Sequence, residues 1–390
     1  MIIVHPDIAR LIGVVYFIQG AMGISGIALP LFLRKYGFNI EQIAYFNSIV
    51  TLPWAFKIIF GAVSDAFPIH GLRRKPYIII CCILACSGWF LLSLVPPTLI
   101  FLIFAMLCAN IGFAAIDVVT DGIVVEHSTK NTSQIYQNIS WGARAIGALV
   151  SGIAGGYLAA HLDYRIIFFL TGFLPMVSIL MVRQYREKRK KLSQKTNFLS
   201  PISKSIKKLF SGDLFWFCWL LIVVSLSSSF MTPLFFYMKE ELQFGEKFLG
   251  LLSSVTWLGA VAGCFIYIRF FKSAPLNKTL YFTIGLGFFQ ILACLLIRDS
   301  PSAFLVSVTA GALGYLSLLP LMSSAARLAH NSGVESSLFA ILMGIFNLGQ
   351  TASTFLGGWL FSKIGLQNLI VLVAFLTLSG FWFIRRLKSL

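Results

Sequence analysis

From Leu11 to Leu33 the chain reads "LIGVVYFIQGAMGISGIALPLFL" without one charged side chain, and runs of this kind recur to its far end, where Asn368 opens "NLIVLVAFLTLSGFWFI". Each run can cross roughly 30 Å of hydrocarbon as a helix. Transmembrane strands would instead alternate in polarity over about ten residues, and nothing in the sequence does so. Composition closes off the soluble alternative. Of 390 residues, 58% are hydrophobic and 12% charged, against roughly 45–50% and about 25% in soluble domains. Such a chain has too little polar surface to face water, and an all-α, multi-pass membrane protein is expected.

Twelve spans are expected, at about 10–33, 42–65, 76–95, 98–126, 134–160, 165–183, 213–238, 247–270, 278–298, 301–327, 335–361 and 367–385. The first lacks a basic n-region and a small-residue cleavage site, so it is read as retained. The longest loop, "RQYREKRKKLSQKTNFLSPISKSIKKLFSG", divides the chain into a six-helix bundle at 1–183, a basic linker at 184–212 and a second bundle at 213–390. Within it "PISKSIKKLF" reads as an amphipathic helix on the membrane surface.

Basic residues near span ends stay on the cytoplasmic side. With the N-terminus inside, 22 of the 31 Lys and Arg fall on the inner side and 7 on the outer. Both termini are therefore expected in the cytoplasm, with the protein in an inner or plasma membrane. This topology accounts for the net charge of +17, its basic loops lying against anionic headgroups, and leaves no call for a nucleic-acid partner.

The two halves look like distant copies: "FNIEQIAYFNSIVTLPW" can be laid on "FGEKFLGLLSSVTWLGA". An internal repeat of six helices places a substrate site between halves near mid-membrane. The seven cysteines all fall inside expected spans, where they behave as small apolar residues. "CCILAC" has no accompanying His ligands, and the five histidines show no triad or ligand spacing. No metal, cofactor or enzymatic chemistry is expected.

Charges inside spans are costly and mark ion or substrate paths. Four stand out: Lys57, Asp117, Asp121 and Arg144. At 1.5 Å per residue, the first two and Arg144 lie about 12–15 Å from the inner face. Asp121 stacks one turn from Asp117 on the same helix face. Two cations and two anions at this level either neutralise one another as a structural cluster or line a cavity and exchange partners. Gln19, Asn47, Asn110, Asn347 and Gln350 are read first as interhelical hydrogen-bonding groups. The glycines of "GALVSGIAGG" are read as helix-packing positions.

The stretch "KIIFGAVSDAFPIHGLRRKPY" resembles the signature loop of the major facilitator superfamily, here Gly61, Asp65, Gly71, Arg73, Arg74 and Lys75. The resemblance implies a cytoplasmic latch between the halves. Glu335, at capping-box spacing from Ser332 in "SGVE", opens a helix this latch can meet. Read with "DVVTDGIVVE", "NISWGARAIGALVSGIAGGYL", "FLGLLSSVTWLGAVAGCFIY" and "GVESSLFAILMGIFNLG", the stretch is similar to the folate-biopterin transporter family of that superfamily. The C-terminal half departs from it, since "LAHNSGVE" has no Cys-Pro before its Gly-Val-Glu. What the resemblance implies is a secondary transporter of folate or a related pterin, proton-coupled, importing and monomeric. Its small-molecule substrate and protons would meet Lys57, Asp117, Asp121 and Arg144. The alternatives are a major facilitator transporter of another organic solute, a drug-proton antiporter, or a receptor without flux.

Overall fold

Each long apolar run folds as a helix, which closes its backbone hydrogen bonds within the segment as lipid requires. The computed structural model describes residues 5–127, 133–187, 199–210, 212–271, 274–330 and 335–387. In chain order the helices are α1 (Pro6–Lys35), α2 (Ile40–Ala66), α3 (Lys75–Leu94), α4 (Leu99–His127), α5 (Ile135–His161) and α6 (Tyr164–Gln184). The short α7 (Leu199–Leu209) follows. Then come α8 (Gly212–Glu241), α9 (Glu246–Phe271), α10 (Leu276–Leu296), α11 (Ser300–Ala329) and α12 (Ser337–Arg386).

All but α7 are long and apolar enough to cross a membrane, which makes eleven. At 50 residues α12 would run about 75 Å, more than twice the hydrocarbon thickness. Gly365, at φ 74° and ψ 173°, divides it, and among the described residues the spans number twelve. The all-α class and the twelve spans expected from sequence are found, with ends within about a turn of the expected positions.

Lipid tails give helices no hydrophobic reason to associate, so close backbone approach at small residues carries much of the packing. Contacts group the chain into two compact units, Met1–Tyr36 with Phe56–Phe198, and Gly37–Ala55 with Leu199–Leu390. In the first, α1 and α5 touch so closely that a Cβ on Gly20 would strike the Arg144 carbonyl, and one on Gly147 that of Phe17. Ser151 adds a hydroxyl bond to the Gly20 carbonyl at 3.1 Å. This is the packing role read for the glycine run. Helices α3 and α4 meet at Gly88 and Gly112 in the same manner.

In the second unit the first piece of α2 lies along α12. Tyr45 stacks on Phe355 at 4.3 Å, and the Thr51 and Thr351 hydroxyls are 3.4 Å apart. Below them Phe217, Leu220, Leu280, Leu321 and Leu342 form a buried core. Large side chains such as Phe104, Phe265 and Phe289 are exposed on helix exteriors, as hydrocarbon-facing surface should be. The amphipathic segment is helical as expected, with Lys204, Lys207, Ile206 and Phe210 all exposed.

Candidate functional site

Helix α2 does not cross as one rod. Pro53 lies inside its first piece, Ile40–Ala55. Phe56, at φ −102° and ψ 12°, leaves the helical region before the second piece begins at Lys57. Proline removes a backbone donor and crowds the preceding turn, which weakens the helix just ahead of the break. The freed Trp54 carbonyl accepts a bond from Asn347 Nδ2 at 3.1 Å, so the break is satisfied by a neighbouring helix, as a broken helix in hydrocarbon must be. Asn347 thus has the interhelical role read for it.

The break places Lys57 at the first position of a helix, where the dipole disfavours a cation. Asp117 of α4 offsets this, its Oδ2 lying 2.8 Å from Lys57 Nζ. The two ends differ in access: the Asp117 side chain is 5% exposed and that of Lys57 24%. The carboxylate is sealed in, and the lysine side chain is partly exposed.

One turn along α4, Asp121 accepts a hydrogen bond from the Tyr16 hydroxyl of α1. Tyr16 is buried. Sequence reasoning missed it, because one tyrosine in an apolar span carries no signal until its facing helix is known. Gln19, three residues on, has neither amide atom hydrogen-bonded among the described residues. Arg144 makes no salt bridge to either carboxylate, nor any other among the described residues. Its guanidinium lies over the Trp141 ring at 5.6 Å. Of the four charges expected at one level, Lys57 and Asp117 are paired, Asp121 is bonded to a phenol, and Arg144 is held by an aromatic ring.

The signature-loop residues form a second constellation in the same unit. His70 and Gly71 both have positive φ, 51° and 78°, and Ile69 and Leu72 exchange backbone bonds at 2.9 Å. That two-residue reversal needs left-handed residues, for which glycine is suited. It delivers Arg74 into the bundle. Its Nη2 lies 2.7 Å from Asp65 and 3.0 Å from Glu126, and its Nη1 donates to Ser64 Oγ at 3.0 Å. Space for the guanidinium comes from Gly122, where a Cβ would sit 2.6 Å from Arg74 Cζ. Gly61 lets α2 approach Val118 of α4, a Cβ there lying 3.0 Å from its methyl.

Glu187 completes the arrangement. Its carboxylate accepts from the backbone N–H groups of Arg73, Arg74 and Lys75 at 2.6, 2.9 and 2.8 Å, capping the N-terminus of α3. Lys75 Nζ donates to the carbonyls of Arg183 and Tyr185 at 2.7 and 3.1 Å. Glu126 and Glu187 were not singled out from sequence, although Glu187 is the lone acid in "RQYREKRKK". The side chain of Glu335 lies outside the described residues, as does Ser332. Among the described residues, no three His, Cys, Asp or Glu side chains are grouped to hold a metal ion.

Twelve apolar helices, the signature turn and the Lys57–Asp117 pair between α2 and α4 define a membrane protein of the major facilitator fold. Solved structures agree on the fold: the nucleoside transporter NupG superposes with a TM-score of 0.76 at 12% identity, covering 98% of this chain and all of that one. A POT family transporter in complex with 5-aminolevulinic acid does so at 0.76 with 17% identity, over 97% of each chain.

The chain belongs to the BT1 family, whose model matches residues 19–371. It is 26% identical to the folate-biopterin transporter of Synechocystis sp., over 94% of this chain and 78% of that one. It is also 26% identical to the probable folate-biopterin transporter 4 of Arabidopsis thaliana, over 92% and 89%, and to folate transporter 2 of Plasmodium falciparum, over 86% and 77%. The protein is an integral, multi-pass membrane transporter of a small molecule.

Proposed function

We propose that the protein is a monomeric secondary active transporter of folate or a related pterin, working by alternating access with proton-coupled uptake. The names of its relatives support the substrate class. The observation that carries the mechanism is the Lys57–Asp117 pair at the break in α2, since discontinuous helices with charges at mid-membrane mark transport sites.

The geometry supports a division of labour. Asp117 is the fixed counter-ion, and Lys57, partly exposed, exchanges it for a carboxylate of the substrate. Arg144, which makes no salt bridge among the described residues, is the second anion-binding group, with a planar fork suited to carboxylate. Asp121 is the proton site, because its partner is a neutral phenol and protonation there breaks no ion pair.

The signature loop, with Gly61, Asp65, Gly71, Arg73, Arg74, Lys75 and Glu335, is proposed as the cytoplasmic latch. The bundles it would join are 1–183 and 213–390, linked by 184–212. The 22-to-7 bias in basic residues supports cytoplasmic termini in an inner or plasma membrane.

Purified protein in liposomes, given labelled folate with and without a pH gradient, tests this reading. Accumulation that rises with the gradient is expected. Binding without flux would make the protein a receptor, and flux indifferent to pH would remove the proton.

A further inference from the structure

The second compact unit contains a cavity of about 510 Å³ walled by α8, α9, α10, α11 and α12, within the roughly 300–1,000 Å³ typical of small-molecule pockets. Among the described residues, no Asp, Glu, Lys, Arg or His lines it, in contrast to the Lys57 site. Its polar groups are hydroxyls and side-chain amides, and its aromatic wall is Trp257 and Tyr315, whose ring centroids are 5.9 Å apart with a 59° tilt.

The hydrogen-bonding capacity of this wall has a direction. Thr256 donates its hydroxyl proton to the Leu252 carbonyl at 2.8 Å, and Ser227 to that of Val224 at 2.6 Å. Each oxygen then keeps lone pairs to offer as acceptor. Gln350 is the opposite case: its Oε1 takes the Ser228 hydroxyl at 2.7 Å, leaving the NH₂ as donor. Acceptor hydroxyls, an amide donor and an indole face complement a flat ring that carries both N–H donors and carbonyl or ring-nitrogen acceptors, and no net charge.

Two glycines of the lining add an independent observation. At Gly259, Gly263 and Gly311 a Cβ would collide with a neighbouring helix, so those glycines serve packing. At Gly287 and Gly314 a Cβ would meet nothing within 4 Å. Helix contact does not explain them; room beside the cavity does.

We infer that this cavity is the subsite for the uncharged bicyclic ring of a pterin, stacked on Trp257 and held at its edge by Gln350, Ser227 and Thr256. The inference rests on the folate or pterin reading above.

The test is equilibrium binding to the purified full-length protein in nanodiscs, read by the ligand's own fluorescence. Biopterin supplies the uncharged ring and p-aminobenzoylglutamate the part of folate that lacks it. Gly314→Leu, which fills open space, and Trp257→Ala should each weaken biopterin about ten-fold or more, as expected for loss of a stacking platform. Binding of p-aminobenzoylglutamate should stay at the wild-type level. Should Trp257→Ala fail to fold, Gly314→Leu and Gln350→Leu decide. Unchanged biopterin affinity in these variants, or equal loss of both ligands, would overturn the subsite while the substrate reading stands. Wild-type protein that binds neither folate nor biopterin would overturn the substrate reading, and the subsite with it.

Discussion

Arg74 and Lys57 are both cations of the first compact unit, and both face a carboxylate on α4, yet they are held to very different degrees. Arg74, with a side chain 7% exposed, meets Asp65, Glu126 and the Ser64 hydroxyl. Its own backbone N–H and those of its neighbours are taken by Glu187. Lys57 is 24% exposed and has the single carboxylate of Asp117. A cation with most of its donors committed holds its loop firmly in this state, because exchange of one partner leaves buried groups unpaired. One with a single partner and an open side can trade that partner for a ligand. Satisfaction thus separates the two constellations where charge alone does not.

The largest expected effect breaks the tied end of this comparison. Arg74→Ala strands two carboxylates around an empty guanidinium slot. Removal of one partner from a buried pair costs about 3–5 kcal/mol, and partial exposure of Asp65 and Glu126 places this case near the lower figure. Thermal unfolding of the purified variant should show a clear fall in Tm. An unchanged Tm would make Arg74 a poised group like Lys57.

Asp117→Asn addresses the other end. The Lys57 side chain is partly exposed, so loss of its counter-ion should cost less stability than Arg74→Ala, and Tm should fall by less. Substrate accumulation should drop below about one-tenth of wild type, since the exchange partner of the site's cation is gone. A large fall in Tm with transport retained would make this pair structural. Arg144→Ala should likewise abolish uptake, and Arg144→Lys should restore only part of it, because a point charge cannot reproduce the bidentate fork. Full uptake by a well-expressed alanine variant would remove Arg144 from the site.

Much of this contrast was legible in the sequence, and the missing part has a physical reason. Long uncharged runs can fold in lipid only as spanning helices, so the twelve spans could be read directly, the break at Gly365 between the last two included. Lys57, Asp117, Asp121 and Arg144 stood out because a charge in a span is costly. What could not be read was pairing. The partners of Asp121 and Arg74 come from residues 105 and 52 positions away, and Tyr16 or Glu126 has no local pattern that marks it. Nor does local pattern show that residues 37–55 pack on α12. Pro53 signals a break in α2, while the companions of each piece are decided by tertiary contact.

Tyr16→Phe sharpens the comparison within the loosely held site. It removes one hydroxyl and leaves the ring, so stability should change by about 1 kcal/mol. If Asp121 carries the proton, gradient-driven uptake should fall several-fold while exchange of labelled for unlabelled substrate persists. Equal loss of both activities would assign Tyr16 to substrate binding instead.

The smallest effect on transport belongs to Glu187→Gln. The carboxylate at this position meets three backbone N–H groups with two oxygens; the amide has one oxygen and would turn its NH₂ toward the Lys75 N–H. A negative charge at a helix N-terminus contributes about 0.3–1 kcal/mol, and one hydrogen bond about 1 kcal/mol more. The expected loss is therefore about 1–2 kcal/mol, less than for Arg74→Ala because Arg74 keeps Asp65, Glu126 and Ser64. Part of that loss should shrink as salt is raised, since Glu187 is only half-buried and its dipole interaction is screened. Folate uptake per folded molecule should match wild type. Were uptake to fall while Tm held, Glu187 would itself take part in the working cycle of the latch rather than only hold the loop in place.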